Sequence, residues 1–131
     1  MKTEEIITSY TVATFSELSD DDRRLVTLAR EATHRSYAPY SHFCVGAAIA
    51  LDNGETVTGA NQENVAYPSG ICAERTAAFY AHAAYPEAHF LTIAIAARGT
   101  DGLEVDSPIA PAAHAARRFW NTNSSPATTS A

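Results

Sequence analysis

Residues 43–51 read Phe-Cys-Val-Gly-Ala-Ala-Ile-Ala-Leu, nine positions with no charged side chain. The run lacks the alternation of a half-exposed strand and fits a central strand covered on both faces. Asp52-Asn53-Gly54 follows at once. Asn-Gly is the favoured pair for a tight hairpin turn, which predicts an antiparallel partner strand over 55–60.

A strand buried on both sides requires covering layers, and helical signals flank the hairpin. Ser19 stands as an N-cap before Asp20, Asp21 and Asp22, whose charges meet the positive end of a helix dipole. Leu25, Leu28, Ala29 and Ala32 then recur at helical spacing, in a helix expected to stop before Pro39. A polar loop over 61–70, with Pro68 and Gly70, leads to an Ala-rich second helix expected from about Ile71 to Ala84. Residues 91–97, apolar almost throughout, predict a third strand. The expected fold is a three-layer α/β/α sandwich with a mixed β-sheet. Residues 1–111 would form its single domain, the first 18 of them as a short strand or an ordered arm.

Composition narrows the function. With 131 residues, 46% of them apolar, the chain can bury a core without disulfides. A net charge of −6 with nine basic residues disfavours nucleic-acid backbones and anionic membranes as partners, leaving small molecules or proteins. No apolar run approaches the roughly 20 residues of a membrane span. Met1-Lys2-Thr3-Glu4-Glu5 lacks the basic and apolar stretches of a signal peptide, so a cytoplasmic location is expected. Two cysteines in such a chain read as free thiols or metal ligands.

Three segments carry the chemistry: Tyr37-Ala-Pro-Tyr-Ser-His-Phe-Cys-Val-Gly-Ala-Ala48, Gly59-Ala-Asn-Gln-Glu-Asn-Val-Ala-Tyr-Pro68 and Gly70-Ile-Cys-Ala-Glu-Arg-Thr-Ala77. In this order and spacing they resemble the short, homotetrameric, zinc-dependent cytidine deaminases over roughly residues 20–111. The resemblance implies hydrolytic deamination of cytidine and 2′-deoxycytidine to the uracil nucleosides in pyrimidine salvage, by zinc-activated water. Independently, a cysteine in the first turn of a helix faces N–H groups that favour the thiolate, the form that ligates zinc. The resemblance makes Cys72 a metal ligand and Glu74 the acid/base that moves protons between water, ring nitrogen and leaving ammonia. It also assigns Phe43 to the pyrimidine ring, Asn61 and Glu63 to the ribose hydroxyls, and the Arg75 guanidinium to the zinc-bound thiolates. The plainer alternatives are Phe43 as core, Asn61 as a turn former, Arg75 as a surface ion pair and Cys72 as a buried helix thiol. His34, His82 and His89 read as exposed, and His42 has no evident partner.

The sequence departs from the family at its second motif, Pro-Cys-Gly-x-Cys-Arg-Gln, which supplies the other two zinc ligands. Here Asp106-Ser-Pro-Ile-Ala-Pro111 is followed by Ala112-Ala-His-Ala-Ala-Arg-Arg118, with alanine at both cysteine positions, 112 and 115. His114 falls at the variable position between them. The codons these residues require, read one base earlier from a Pro111 codon ending in T, permit Cys-Gly-Ala-Cys-Arg-Gln. The expectation is a one-base deletion near Pro111, with 112–131 an aberrant, disordered tail. A chain so altered would bind zinc weakly and turn over slowly. Its rival reading is an inactive remnant that binds nucleoside or only assembles with intact subunits.

Overall fold

The computed structural model describes residues 1–7 and 9–105. Helix α1 spans Asp20–Ala32 and is followed by a 3-10 turn over Thr33–Arg35. Strand β1 spans Phe43–Leu51 and β2 Thr56–Ala60; helix α2 spans Ala73–Ala84 and β3 Phe90–Gly99. Ser19 caps α1 by accepting a hydrogen bond from the Asp22 N–H at 3.1 Å, as its position predicts. The hairpin loop is longer by one residue than a two-residue turn. Leu51 N–H donates to the Glu55 carbonyl at 2.9 Å, so Asp52, Asn53 and Gly54 all lie in the loop. Gly54 takes φ +86°, the left-handed conformation that glycine adopts without steric cost.

The sheet order is β2-β1-β3, and both pairings are antiparallel. No two of the three strands pair in parallel; among the described residues the parallel pairing of a mixed sheet is limited to the isolated bridge between Tyr37 and Gln62. β1 is the central strand, as its apolar composition requires, and its two faces serve different helices. Ala47, Ile49 and Leu51 pack with Val57 against Ala73, Ala77, Ala78 and Ala81 of α2. Ala48, with Ala94 of β3, packs against Leu25 and Ala29 of α1. The three expected layers are therefore present. Both helices approach the sheet closely over glycines. A Cβ on Gly46 would lie 2.1 Å from the Ala29 carbonyl oxygen, and one on Gly59 would lie 2.5 Å from the Ala77 nitrogen.

Helix α1 ends earlier than its expected limit, because the chain tightens into the 3-10 turn well before Pro39. β3 runs beyond its expected end at Ala97, since its register with β1 continues to the pair Phe43–Gly99. The chain then folds back: Gly99 N–H donates to the Leu103 carbonyl at 2.9 Å and Val105 N–H to the Ala97 carbonyl at 2.9 Å. Between Leu91 and Ala96, no backbone hydrogen bond among the described residues reaches the outer edge of β3. At the N-terminal end, where a short strand or an ordered arm is expected, no strand is found among the described residues and Phe15–Glu17 forms a 3-10 turn. The expected domain boundary at Pro111 and the tail over 112–131 lie outside the described residues.

Candidate active site

Three chain segments converge at the N-terminal end of α2. Residues 61–63 form the middle layer. Tyr37 N–H donates to the Asn61 carbonyl at 3.0 Å and Glu63 N–H to the Tyr37 carbonyl at 2.8 Å. On the other side, Gln62 and Ile71 exchange two backbone hydrogen bonds, each 2.9 Å, which fixes the residue just before Cys72. Thr76 completes the stitching, its hydroxyl lying 3.2 Å from the Ala60 carbonyl and 3.0 Å from that of Cys72. All three sequence motifs are thus held together by main-chain geometry.

Cys72 is the N-cap of α2 rather than a residue of its first turn, the helix starting two residues later than expected. Its side chain closes no cap hydrogen bond. Burial pushes the thiol above its ordinary pKa, while the Arg75 backbone N–H favours the thiolate and only partly offsets this. The helix terminus alone therefore does not make Cys72 a thiolate. Glu74, in the first turn of α2, is 4% exposed.

The Arg75 guanidinium lies over the Phe79 ring, 5.2 Å from its centroid. It is stacked along the helix, no ion pair to an acidic side chain is found for it among the described residues, and what it brings to Cys72 most directly is its backbone N–H. Phe43 opens β1 with 39% of its surface exposed, more than a core residue would show. The Asn61 amide neither forms a simple turn nor points freely outward. Its Nδ2 donates to the Phe43 carbonyl at 2.9 Å and its Oδ1 accepts from the Val45 N–H at 2.8 Å, extending the β1–β2 ladder through a side chain. The Glu63 carboxylate accepts from the Tyr40 N–H at 2.9 Å, from the Ser41 N–H at 3.3 Å and from the Ser41 hydroxyl. These bonds, the Ser41 hydroxyl foremost, hold its pKa below the usual carboxylate range.

Among the described residues the donor set does not fit a zinc ion. No group of three or more His, Cys, Asp or Glu side chains able to hold a metal is found among the described residues. Cys44 is buried at a β1 position of the same parity as Gly46 and Ala48, hence on the α1 face and across the sheet from α2. One thiolate cannot build a tetrahedral site. Positions 112, 114 and 115 lie outside the described residues. His34, His82 and His89 are all exposed, as expected, and His89 also pairs with Asp52 at 3.1 Å.

A separate cleft of about 580 Å³ lies between α1, β3 and residues 13–15. None of the predicted site residues lines it. Three of its charged groups are engaged: Arg30 pairs with Glu104 at 3.3 Å and stacks on Phe15, and Arg98 donates to the Thr33 hydroxyl at 2.9 Å.

The sandwich and the convergence of the three motifs define a deaminase-type framework, and the comparisons with known proteins agree. A family model described as the cytidine and deoxycytidylate deaminase zinc-binding region matches residues 19–108. The chain belongs to that family. It is 45% identical over 62 residues to the cytidine deaminase of Halalkalibacterium halodurans, which covers 47% of each chain. It is 52% identical over 46 residues to that of Mycobacterium tuberculosis, covering 35% of each. The chain thus spans about half the length, or less, of the curated relatives it matches. The crystal structure of the Burkholderia pseudomallei cytidine deaminase superposes with a TM-score of 0.65 at 35% identity, covering 79% of this chain and 76% of that one. That of the Mycobacterium tuberculosis enzyme gives 0.67 at 30% identity, covering 79% of each. Among the described residues no helix is long and apolar enough to cross a membrane.

Ser41, Gln62 and Thr76 tie the candidate site together through hydrogen bonds, and sequence reasoning did not single them out. Ser41 lies inside the first quoted motif, but no local periodicity marks a hydroxyl that bonds a carboxylate 22 residues away.

Proposed function

We propose that the site descends from an enzyme that hydrolytically deaminates cytidine and 2′-deoxycytidine in pyrimidine salvage, and that this chain retains its nucleoside-facing half. Glu74 is the proton carrier, Phe43 packs on the pyrimidine ring, Asn61 and Glu63 hydrogen-bond the sugar hydroxyls, and Cys72 is the surviving thiolate ligand. Arg75 acts beside it. The observation that carries the reading is the buried Glu74 carboxyl two residues after Cys72, with the 61–63 layer stitched to the preceding residue. The sugar role of Asn61 rests on capacity left over, since its oxygen keeps one lone pair and its nitrogen one hydrogen after the bonds to β1.

The chemistry of this particular chain is limited by its sequence. Alanine at 112 and 115 leaves Cys72 without thiolate partners, and a one-base deletion near the Pro111 codon accounts for both losses and for the change in composition after it. In this reading residues 1–111 are the deaminase domain and 112–131 an out-of-frame tail. A cytoplasmic homotetramer is the assembly and setting the framework suggests. Purified full chain mixed with cytidine should give almost no loss of ultraviolet absorbance, and turnover at an ordinary enzymatic rate would refute the loss of function. The coding DNA supplies the second check: no single-base insertion restoring Cys-Gly-x-Cys-Arg-Gln after Pro111 would rule out the deletion.

A further inference from the structure

Glu63 does not stand alone, and its partner joins it to a second proposed nucleoside contact. An ionised carboxylate only accepts hydrogen bonds, so in the contact between Ser41 and Glu63 the hydroxyl is the donor. The same hydroxyl oxygen accepts from the Phe43 N–H at 3.2 Å. One small side chain therefore bridges the carboxylate of the 61–63 layer and the backbone of the exposed ring that opens β1.

The surrounding backbone is held tightly enough for such a bridge to matter. His42, between Ser41 and Phe43, takes φ +56°, a conformation that a non-glycine residue keeps only where its surroundings over-determine it. Its N–H donates to the Ala38 carbonyl and its carbonyl accepts from the Thr100 N–H, both at 3.2 Å. Glu63 closes the third side through the N–H groups of Tyr40 and Ser41.

We infer that Ser41 is a positioning residue for pyrimidine nucleosides: its hydroxyl fixes the Glu63 carboxylate relative to the Phe43 ring, so that sugar and base are bound in register. The inference rests on the assignment of Glu63 and Phe43 as nucleoside contacts. Ser41 touches neither sugar nor base. It acts by orienting the group that accepts from the sugar hydroxyl, so removing it costs preorganisation rather than a contact with the ligand.

The test combines two readouts on the full chain. The amide signals of Tyr40 and Ser41, followed by nuclear magnetic resonance against pH, report the ionisation of Glu63 with no ligand present; the His42 imidazole is the other titrating group facing it. Ser41→Ala should move the midpoint of the carboxylate step upward, toward the ordinary range, and Ser41→Thr should return it. Calorimetry with uridine should show about three- to tenfold weaker binding for Ser41→Ala, restoration by Ser41→Thr, and no further loss when Ser41→Ala is added to Glu63→Gln. An unmoved midpoint, or losses that simply add in the double variant, would overturn the inference. A midpoint that shifts as expected in a chain that gives no heat with uridine would instead overturn the assignment of Glu63 to the sugar, leaving Ser41 as the group that fixes the carboxylate.

Discussion

The two faces of the central strand bury apolar side chains in the same way and end in different chemistry. On the α1 face, Leu25 and Ala29 sit on Ala48 and Ala94, and the helix begins with a serine that caps it and three aspartates that suit its dipole. On the α2 face the packing residues of the helix are alanines, the cap position holds a cysteine that closes no cap bond, and the first turn carries a buried glutamate. Ser, Thr, Asn and Asp are the stabilising choices at an N-cap. The helix that departs from that rule is the one whose head meets loops from two other parts of the chain. Breaches of local stability rules are expected at functional sites, where other demands compete with folding.

Substitution separates the two faces, beginning with what they share. Gly46→Ala would drive a methyl group into the backbone of α1, and Gly59→Ala would do the same to α2. Each should cost on the order of 3 kcal/mol in urea unfolding, Gly46 the more because its Cβ falls closer. Two equal and small effects would mean that the helices float on the sheet. The caps should then differ. Ser19→Ala should lower stability by about 1 kcal/mol through its lost bond to the Asp22 N–H. Cys72→Ser should raise stability by about 0.5 kcal/mol, because a hydroxyl caps α2 where the thiol does not. A large loss for Cys72→Ser would show that the thiol is part of the packing after all.

The smallest expected effect concerns acid. Glu63 is held below its ordinary pKa chiefly by the Ser41 hydroxyl, and Asp52 chiefly by the His89 backbone N–H. Each such contribution is fully present above the unfolded value, near 4, and is lost as pH falls through the depressed folded value. Thermal midpoints should therefore decline below about pH 4, and less steeply in Asp52→Asn. A profile unchanged by that substitution would remove the tether between the hairpin loop and the start of β3 from the account.

How much of this was legible in the sequence depends on range. β1 was readable to the residue from its apolar run, and the Ser19 cap from three following aspartates, because both are written in consecutive positions. The start of α2 was misplaced by two residues, since Ile71 is bound to Gln62 in a short bridge before the helix can begin. The site was legible as three motifs but not as an arrangement. Asn61 reads as a turn former or a sugar contact, and nothing in the sequence shows that its amide also pairs with β1 across 16 and 18 residues. The hold of Ser41 on Glu63 spans 22 residues. Hydrogen bonds over such separations leave no trace in periodicity and appear only when the chain is folded.

A deaminase framework that keeps Cys72 but has alanine at 112 and 115 is short of the several donors a tetrahedral zinc needs. The zinc content of the purified full chain, measured by elemental analysis after dialysis against metal-free buffer, tests that shortfall most directly. The account predicts far less than one zinc per chain. A stoichiometry near one would contradict it and would show that this polypeptide completes the metal site by other donors.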